Sequence, residues 1–168
     1  MKSGVALDIF YYWKDFASDI KEGRIGTLGA NNDKLHELQD RLPRKVWTFI
    51  TPRGMKGKIR LIGSMWITDK RPANLVPKWR HNLFYDAASL KSVLFPASGC
   101  PEKIEEVTAY FNNRFNQAFR SNFQGEKGIH EMEADIVRGF ENLVRDYETV
   151  QFMDGLKKEF DCSIDDAR

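Results

Sequence analysis

The residues with the clearest chemical capacity in this chain are cations interleaved with aromatic side chains. Between Arg41 and Arg80 the sequence holds eleven basic residues and a single acidic one, Asp69, so this segment carries a net charge of +10. Lysine and arginine clustered on one face neutralise phosphates and release counterions, which favours binding to a polyanion. An ordinary solvated surface is the alternative interpretation. From Pro101 to Arg168 nine basic residues face fifteen acidic ones, and the net charge there is −6.

Tryptophan adds the capacity to stack on a planar ligand. The chain has four tryptophans, and at least two of them are expected in the core because three lie on predicted strands. Trp79 instead stands in the cationic sequence Pro77-Lys78-Trp79-Arg80. Cations beside an aromatic ring can hold a phosphate backbone while the ring stacks on a base. A base that comes from a duplex must first be extruded, at a cost of a few kcal/mol.

Motifs for other chemistries are absent or misplaced. Cys100 and Cys162 lie outside any CxxC spacing and are expected to be free thiols. None of the three histidines (His36, His81, His130) has a neighbour at metal-ligand spacing. The glycine- and lysine-rich segment 54–58 falls in a predicted hairpin turn rather than before a helix, so it does not indicate a phosphate-binding loop. We therefore predict no catalytic residue, metal or cofactor.

Two alternatives to a binding function stay open. Asp69, Lys70 and Asp86 follow predicted strands, and carboxylates meeting a lysine at strand ends are typical of a small metal-dependent nuclease. The acidic stretch from Glu131 to Asp146 is the basis of the other alternative, a protein–protein adaptor that docks a basic partner.

The elements that position these residues follow from apolar periodicity. The chain of 168 residues, 42% hydrophobic, is expected to form one compact α+β domain with a curved mixed sheet of five or six strands and two long C-terminal helices. No apolar run suits a membrane span or signal peptide, so we expect a soluble, cytoplasmic protein that does not bind a membrane. The predicted elements are a strand at 5–13, a helix at 14–21, a loop at 24–32, a helix at 34–41 capped by Asp33, a hairpin of strands 46–50 and 58–68, short strands at 83–85 and 92–95, helices at 101–119 and 129–150, and a polar tail.

Three segments carry a family pattern. First, a loop rich in Gly, Thr and Asn leads into Asn32-Asp33-Lys34-Leu35. Second, a strand, a turn and a strand follow with the sequence Val-Trp-Thr-Phe-Ile-Thr-Pro-Arg-Gly-Met-Lys-Gly-Lys-Ile-Arg-Leu-Ile-Gly. Third, a Trp-bearing loop precedes a short strand pair. In this order, over residues 7–95, the chain resembles the EVE and YTH domains of the PUA-like group, which read methylated bases. The resemblance implies a partial barrel flanked by helices, with a nucleic-acid-binding core at 1–98 and a helical extension at 99–168 packed on the same domain.

The resemblance also implies a set of site residues. Thr27, Leu28 and Gly29 would form one pocket wall, Asn31 or Asn32 would reach the base edge, and Trp79 would stack on the base. Leu28 stands where the family usually has a cage aromatic, so Tyr11, Trp13 or Trp66 would complete the cage. Asp86 is included in the predicted pocket. The predicted contacts to the DNA backbone are Arg44, Lys45, Arg53, Lys56, Lys58, Lys70, Arg71, Lys78 and Arg80.

The function implied is that of a DNA-binding recognition domain without catalytic activity. It would flip a modified base, most simply a methylated one, out of duplex DNA into an aromatic pocket. In the family that the chain resembles, such domains are often the specificity module of modification-dependent restriction systems, and cleavage or a motor ATPase lies on another segment of the protein. DNA is preferred over RNA by this resemblance alone.

Overall fold

The computed structural model describes residues 7–41, 43–73, 75 and 78–158. They form an α+β fold in which a mixed eight-stranded sheet curls into a half-barrel with flanking helices. The elements in chain order are β1 (Asp8–Tyr12), α1 (Phe16–Lys21), β2 (Thr27–Ala30), α2 (Lys34–Gln39), β3 (Lys45–Ile50), β4 (Arg60–Thr68), β5 (His81–Tyr85), β6 (Val93–Leu94), α3 (Pro101–Arg114), α4 (Asn116–Arg120), β7 (Ile129–Met132), α5 (Ala134–Leu143), β8 (Val150–Gln151) and α6 (Phe152–Lys158).

The sheet is organised around the long strand β4. The main strand order is β2-β5-β4-β3-β1-β7, and β6 pairs with both β4 and β8. One edge of β4 pairs with β3, and the other edge pairs first with β6 and then with β5. Strand β4 therefore joins β3 to both β6 and β5 within the curled sheet. Strands β1 and β3 run parallel, while β1 and β7 run antiparallel.

Apolar side chains fill both faces of this sheet, as the alternation along β1 shows. Ile9 and Tyr11 point into an inner core with Leu28 and Met65, inside the half-barrel. Phe10 points the other way, into an outer core dominated by aromatic rings from β3, α3 and α5. Strand residues alternate between faces, so a sheet buried on both sides is continuously apolar. Residues on α3 and α5 therefore belong to the core of the domain.

The first half of the chain agrees with the predicted elements, with one exception. The hairpin of β3 and β4 is confirmed, and so are the strand and helix at the start of the chain and the helix after Asp33. Asp33, however, makes no side-chain cap; the Lys34 amide donates to the Asn32 side chain instead, at 3.1 Å. The predicted loop at 24–32 is wrong in part, because Thr27–Ala30 forms strand β2 and pairs with β5.

The second half differs from the prediction of two long helices. The first predicted helix, 101–119, is interrupted at Phe115, where the backbone leaves helical angles between α3 and α4. The second, 129–150, is replaced by β7, α5 and β8. Ile129 and Met132 have helical spacing from Ile136, yet they are buried by pairing with β1 in a strand. The described residues form eight strands rather than the expected five or six, because β2, β7 and β8 occur where no strand was predicted.

The tryptophans, the cysteines and the character of the helices were also subjects of prediction. Trp13 and Trp47 are 0% and 2% exposed, which confirms that at least two tryptophans belong to the core. Cys100 is a free thiol. Cys162 and most of the predicted polar tail lie outside the described residues. Among the helices of the described ranges, none combines the length and the apolar character that crossing a membrane would require.

Candidate functional site

A cleft of about 580 Å³ opens at the carboxyl end of β1. The end of β1 forms its floor, the end of β2 and the segment carrying Trp79 form one wall, and the segment between α4 and β7 forms the other. The lining residues are Tyr11, Tyr12, Lys14, Asp15, Gly29, Ala30, Asn31, Asn32, Trp79, Asn122, Phe123, Gln124, Gly125, Gly128 and Ile129.

The half-buried Trp79 is held against the backbone of β2. A Cβ atom at Gly29 would lie 2.3 Å from the Trp79 ring, so only glycine allows this approach. The backbone around Trp79 is anchored as well. The Arg80 amide donates to Oδ1 of Asn31 at 2.9 Å, and Nδ2 of Asn82 donates to the Trp79 carbonyl oxygen at 3.2 Å. The indole ring is therefore positioned before any ligand arrives.

Tyr11 closes the half-barrel beneath this wall. Its hydroxyl donates to the Gly29 carbonyl oxygen at 2.6 Å, although β1 and β2 are not neighbours in the sheet. Tyr11 is 7% exposed, and burial raises the pKa of its hydroxyl, so the neutral form is the donor at physiological pH. The bond ties the floor of the cleft to the wall that carries Trp79.

A buried carboxylate connects the same wall to α1. Asp19 is fully buried, accepts a hydrogen bond from Nε1 of Trp13 at 2.9 Å, and lies 3.5 Å from Nζ of Lys78. Burial raises the pKa of Asp19. The Lys78 ammonium also lies 5.1 Å from the centre of the Trp79 ring and 3.8 Å from a carboxylate oxygen of Asp15. Lys78 therefore serves as an internal counterion next to Trp79.

The opposite wall contains two residues with left-handed backbone angles. Asn122 has φ 57° and Phe123 has φ 54°, and they are the non-glycine residues with positive φ among those described. Such conformations are costly and cluster at functional sites. Phe123 is buried in the outer core, where it packs against Phe49 and Phe111, so Asn122 is held at the cleft by its neighbour. Sequence reasoning missed this wall; its one signal is that asparagine tolerates this conformation.

A second cavity of about 500 Å³ continues from the cleft. The two cavities share Tyr12, Lys14, Asp15 and Asn122, so they form one groove. Beyond these shared residues the second cavity is lined by Ile50, Thr51, Pro52, Gly54 and Lys56, from the end of β3 and the turn of the hairpin.

The structure brings together about half of the predicted pocket. Tyr11, Gly29, Asn31, Asn32 and Trp79 line the cleft. Thr27 and Leu28 are fully buried within β2, behind the wall.

Three predicted pocket residues lie elsewhere. Trp13 is 0% exposed in the inner core and offers no face to a ligand. Trp66 pairs with Lys45 in the sheet, near the amino end of β1, where Lys91 lies 4.3 Å and Arg44 5.9 Å from its ring. Asp86 donates its amide to the Trp66 carbonyl oxygen and is therefore next to Trp66. Of the aromatic residues expected to complete the cage, Tyr11 is at the cleft.

The predicted backbone-binding cations fall into two groups. Several have internal partners: Arg44 binds Asp8 through two hydrogen bonds of 2.9 Å, Lys58 pairs with Glu105, and Lys78 with Asp19. Lys45 lies 4.8 Å from the centre of the Trp47 ring, and burial lowers its pKa. The others are exposed to solvent: Arg53, Lys56, Lys70, Arg71 and Arg80.

Of the residues behind the two alternative functions, those expected in a nuclease do not assemble into a site, whereas Glu133, Glu141 and Asp146 of the acidic stretch are exposed. The Asp86 amide donates to the Trp66 carbonyl oxygen at 2.8 Å, and Asp69 follows Trp66 by three positions, just beyond the end of β4 and about 10 Å further along the chain. No group of three potential metal ligands occurs within the described ranges. In the acidic stretch, Glu131 pairs with Arg41 and Asp135 with Arg114.

Comparisons with protein-family models, with curated proteins and with solved structures find no match to this chain.

Proposed function

We propose that this protein is a nucleic-acid-binding domain of the PUA-like kind that takes a single modified base into the cleft beside Trp79. The observation that carries the proposal is the position of this ring, which lies against Gly29 at the wall of a cleft of about 580 Å³. A positioned indole is a stacking platform for a planar base, and stacking on it does not require a particular sequence. The volume falls in the usual range for small-ligand pockets.

The amide side chains near Trp79 supply hydrogen-bond donors. Oδ1 of Asn31 already accepts from the Arg80 amide, and Oδ1 of Asn32 accepts from the Lys34 amide. Each side chain keeps its NH₂ group for a ligand, and an NH₂ group only donates. The cleft therefore suits a base edge that presents acceptor oxygen or nitrogen atoms. Such edges are accessible on a base that has left the duplex.

The wider role follows from the resemblance to EVE and YTH domains. On that basis the target is duplex DNA carrying a methylated base, bound without cofactor. The domain would be the specificity module of a modification-dependent restriction system whose nuclease or ATPase lies on another segment. The exposed cations Arg53, Lys56, Lys70, Arg71 and Arg80 support a contact with the phosphate backbone.

The test is fluorescence anisotropy at fixed moderate salt, with and without magnesium. It compares otherwise identical duplexes that are unmodified, carry N6-methyladenine or carry 5-methylcytosine. We expect tighter binding to one modified duplex without cleavage. Trp79→Ala should cost about 1–3 kcal/mol of binding free energy and remove the preference for modified DNA, because it removes the stacked ring. Equal loss on modified and unmodified DNA would contradict the pocket assignment.

Two further variants distinguish the loss of base stacking from a general effect of the substitution on folding. Gly29→Ala retains the ring but forces it away from β2, so it should also weaken the preference. Trp66→Ala is the matched control, since Trp66 is a partly exposed tryptophan beside two cations and outside the cleft. It should leave the preference intact. A preference lost in Trp66→Ala and kept in Trp79→Ala would place the base elsewhere.

A further inference from the structure

The groove extends beyond the space that one base needs. The second cavity of about 500 Å³ shares four lining residues with the cleft, so the two cavities adjoin and one ligand can occupy both. Each cavity alone has the volume of a small-ligand pocket. Two linked units of similar size would fill the two adjoining cavities.

Two exposed lysines line the groove, Lys14 at the junction of the two cavities and Lys56 in the second cavity. Neither forms an ion pair with any residue in the ranges 7–41, 43–73 and 78–158. Asp15, also at the junction, lies 3.8 Å from the Lys78 ammonium, which offsets its charge. Two cations without an ion-pair partner among the described residues therefore flank the second cavity. Lysine ammonium groups in such positions are typical contacts for phosphate oxygens.

The junction between the cavities is preorganised. The Tyr12 hydroxyl donates to Oγ1 of Thr51 at 3.1 Å, and the Tyr12 ring packs on Phe49 with ring centres 5.3 Å apart. Across the junction, Asn122 is held in its left-handed conformation beside the buried Phe123. Polar groups fixed in advance lose little entropy when a ligand binds. Such groups favour a ligand that is itself polar where it passes between the two cavities.

We infer that the groove binds two consecutive nucleotides, with the modified base in the cleft and the linking phosphate at Lys14 and Lys56 in the second cavity. Tyr12 and Asn122 contact the strand where it passes from one cavity to the other. This inference rests on the proposed function and names its substrate class, a polynucleotide strand rather than a free base, nucleoside or mononucleotide.

The experiment uses three probes that carry the same modified base. They are the nucleoside, a dinucleotide with a normal phosphate link to thymidine, and the same dinucleotide with an uncharged methylphosphonate link. N6-methyldeoxyadenosine and 5-methyldeoxycytidine are each used in turn as the base. Competition against a labelled duplex gives their affinities. We expect the phosphate-linked dinucleotide to bind more tightly than the other two probes, because it alone offers a charge to the two lysines.

Variants then assign the phosphate to its residues. The double variant Lys14→Ala/Lys56→Ala should weaken the phosphate-linked dinucleotide about fivefold at 0.1 M salt and lower the salt slope by about 0.7, the values for one phosphate contact on a single strand, and each single variant should cause part of this loss. The affinities of the nucleoside and the methylphosphonate probe should not change. Lys157→Ala, on the exposed surface of α6, is the matched control. Equal affinity of wild type for both dinucleotides would overturn the inference.

Asn122→Gly provides a second route that does not depend on charge. Glycine accepts the left-handed conformation, so the variant should unfold at the same or a higher denaturant concentration than wild type while binding both dinucleotides more weakly. Unchanged dinucleotide affinity would remove Asn122 from the site. Failure of the proposed function gives a different result, in which wild type binds modified and unmodified duplexes equally or binds neither.

Discussion

At the scale of single residues, the contact between Trp79 and Gly29 shows why the site depends on a glycine that does not lie in a turn. Gly29 lies in a regular strand, and its role is to leave room for the indole ring. A glycine inside a strand often marks such a close approach of another group. The pattern around it instead resembled a loop, because two glycines and two asparagines occur within a few positions.

Asp19 leads to a prediction about pH. Burial raises the pKa of its carboxyl in the folded protein above the unfolded value of 3.8. Between these two pKa values the folded state binds more protons than the unfolded state, so the free energy of unfolding falls as pH rises through that interval. Asp19→Asn keeps an acceptor for Trp13 but does not ionise. The variant should therefore gain stability relative to wild type as pH increases from about 4 to about 7.

Urea unfolding at several pH values measures this gain. Asp154→Asn, on the surface of α6, controls for the loss of a carboxylate as such. A stability difference that shrinks as pH increases would show that the Lys78 ion pair outweighs the cost of burying Asp19.

At the scale of elements, strands with strong local signals were predictable and strands defined by distant partners were not. The β3–β4 hairpin is marked by two apolar runs around a turn with Gly54 and Gly57, both at positive φ, so local residues determine it. Strand β7 has four residues and becomes a strand by pairing with β1, more than a hundred positions away. Its two buried residues have a spacing that also fits a helix.

The same distinction between local signals and distant partners explains which site residues were predictable from the sequence. Trp79 was identifiable because a tryptophan among lysine, arginine and proline has few apolar neighbours in sequence. Trp13 and Trp66 were misplaced because a strand pattern does not show which face, or which end of the sheet, meets the cleft. The wall with Asn122 comes from a segment with no motif, and the fold alone brings it opposite β2.

The parallel pair of β1 and β3 depends on an ion pair at its start. Asp8 is 1% exposed and accepts two hydrogen bonds from Arg44 and one, at 3.2 Å, from Nε1 of Trp47. Asp8→Asn removes the charge and leaves Arg44 without its counterion. We expect a loss of about 2 kcal/mol in the free energy of unfolding, below the range for fully buried pairs because Arg44 is partly exposed.

Chemical denaturation measures this loss. The control is Glu131→Gln, which breaks the exposed pair with Arg41 and should cost about 0.5 kcal/mol. Similar losses in the two variants would mean that burial of Asp8 adds nothing to the strength of its ion pair.

At the scale of the whole molecule, the residues after position 98 are part of the core. Helices α3 and α5 cover the outer face of the sheet, where Phe111 and Phe140 are fully buried against Phe10 and Phe49. A chain that ends at residue 98 should therefore lack a cooperative unfolding transition and bind a dye for exposed apolar surface. A sharp thermal transition in this fragment would instead show that residues 1–98 fold without the helices.

The position of β1 in the sheet also has a consequence for how the protein is made. Strand β1 is synthesised before its partner β7, which ends about 120 residues later in the chain. At roughly 5–20 residues per second, translation takes about 6–24 s to cover that distance. Throughout this interval the backbone N–H and C=O groups along one edge of β1 have no β7 to pair with, and unpaired strand edges recruit other chains. We therefore expect chaperones that act near the ribosome exit to bind the growing polypeptide.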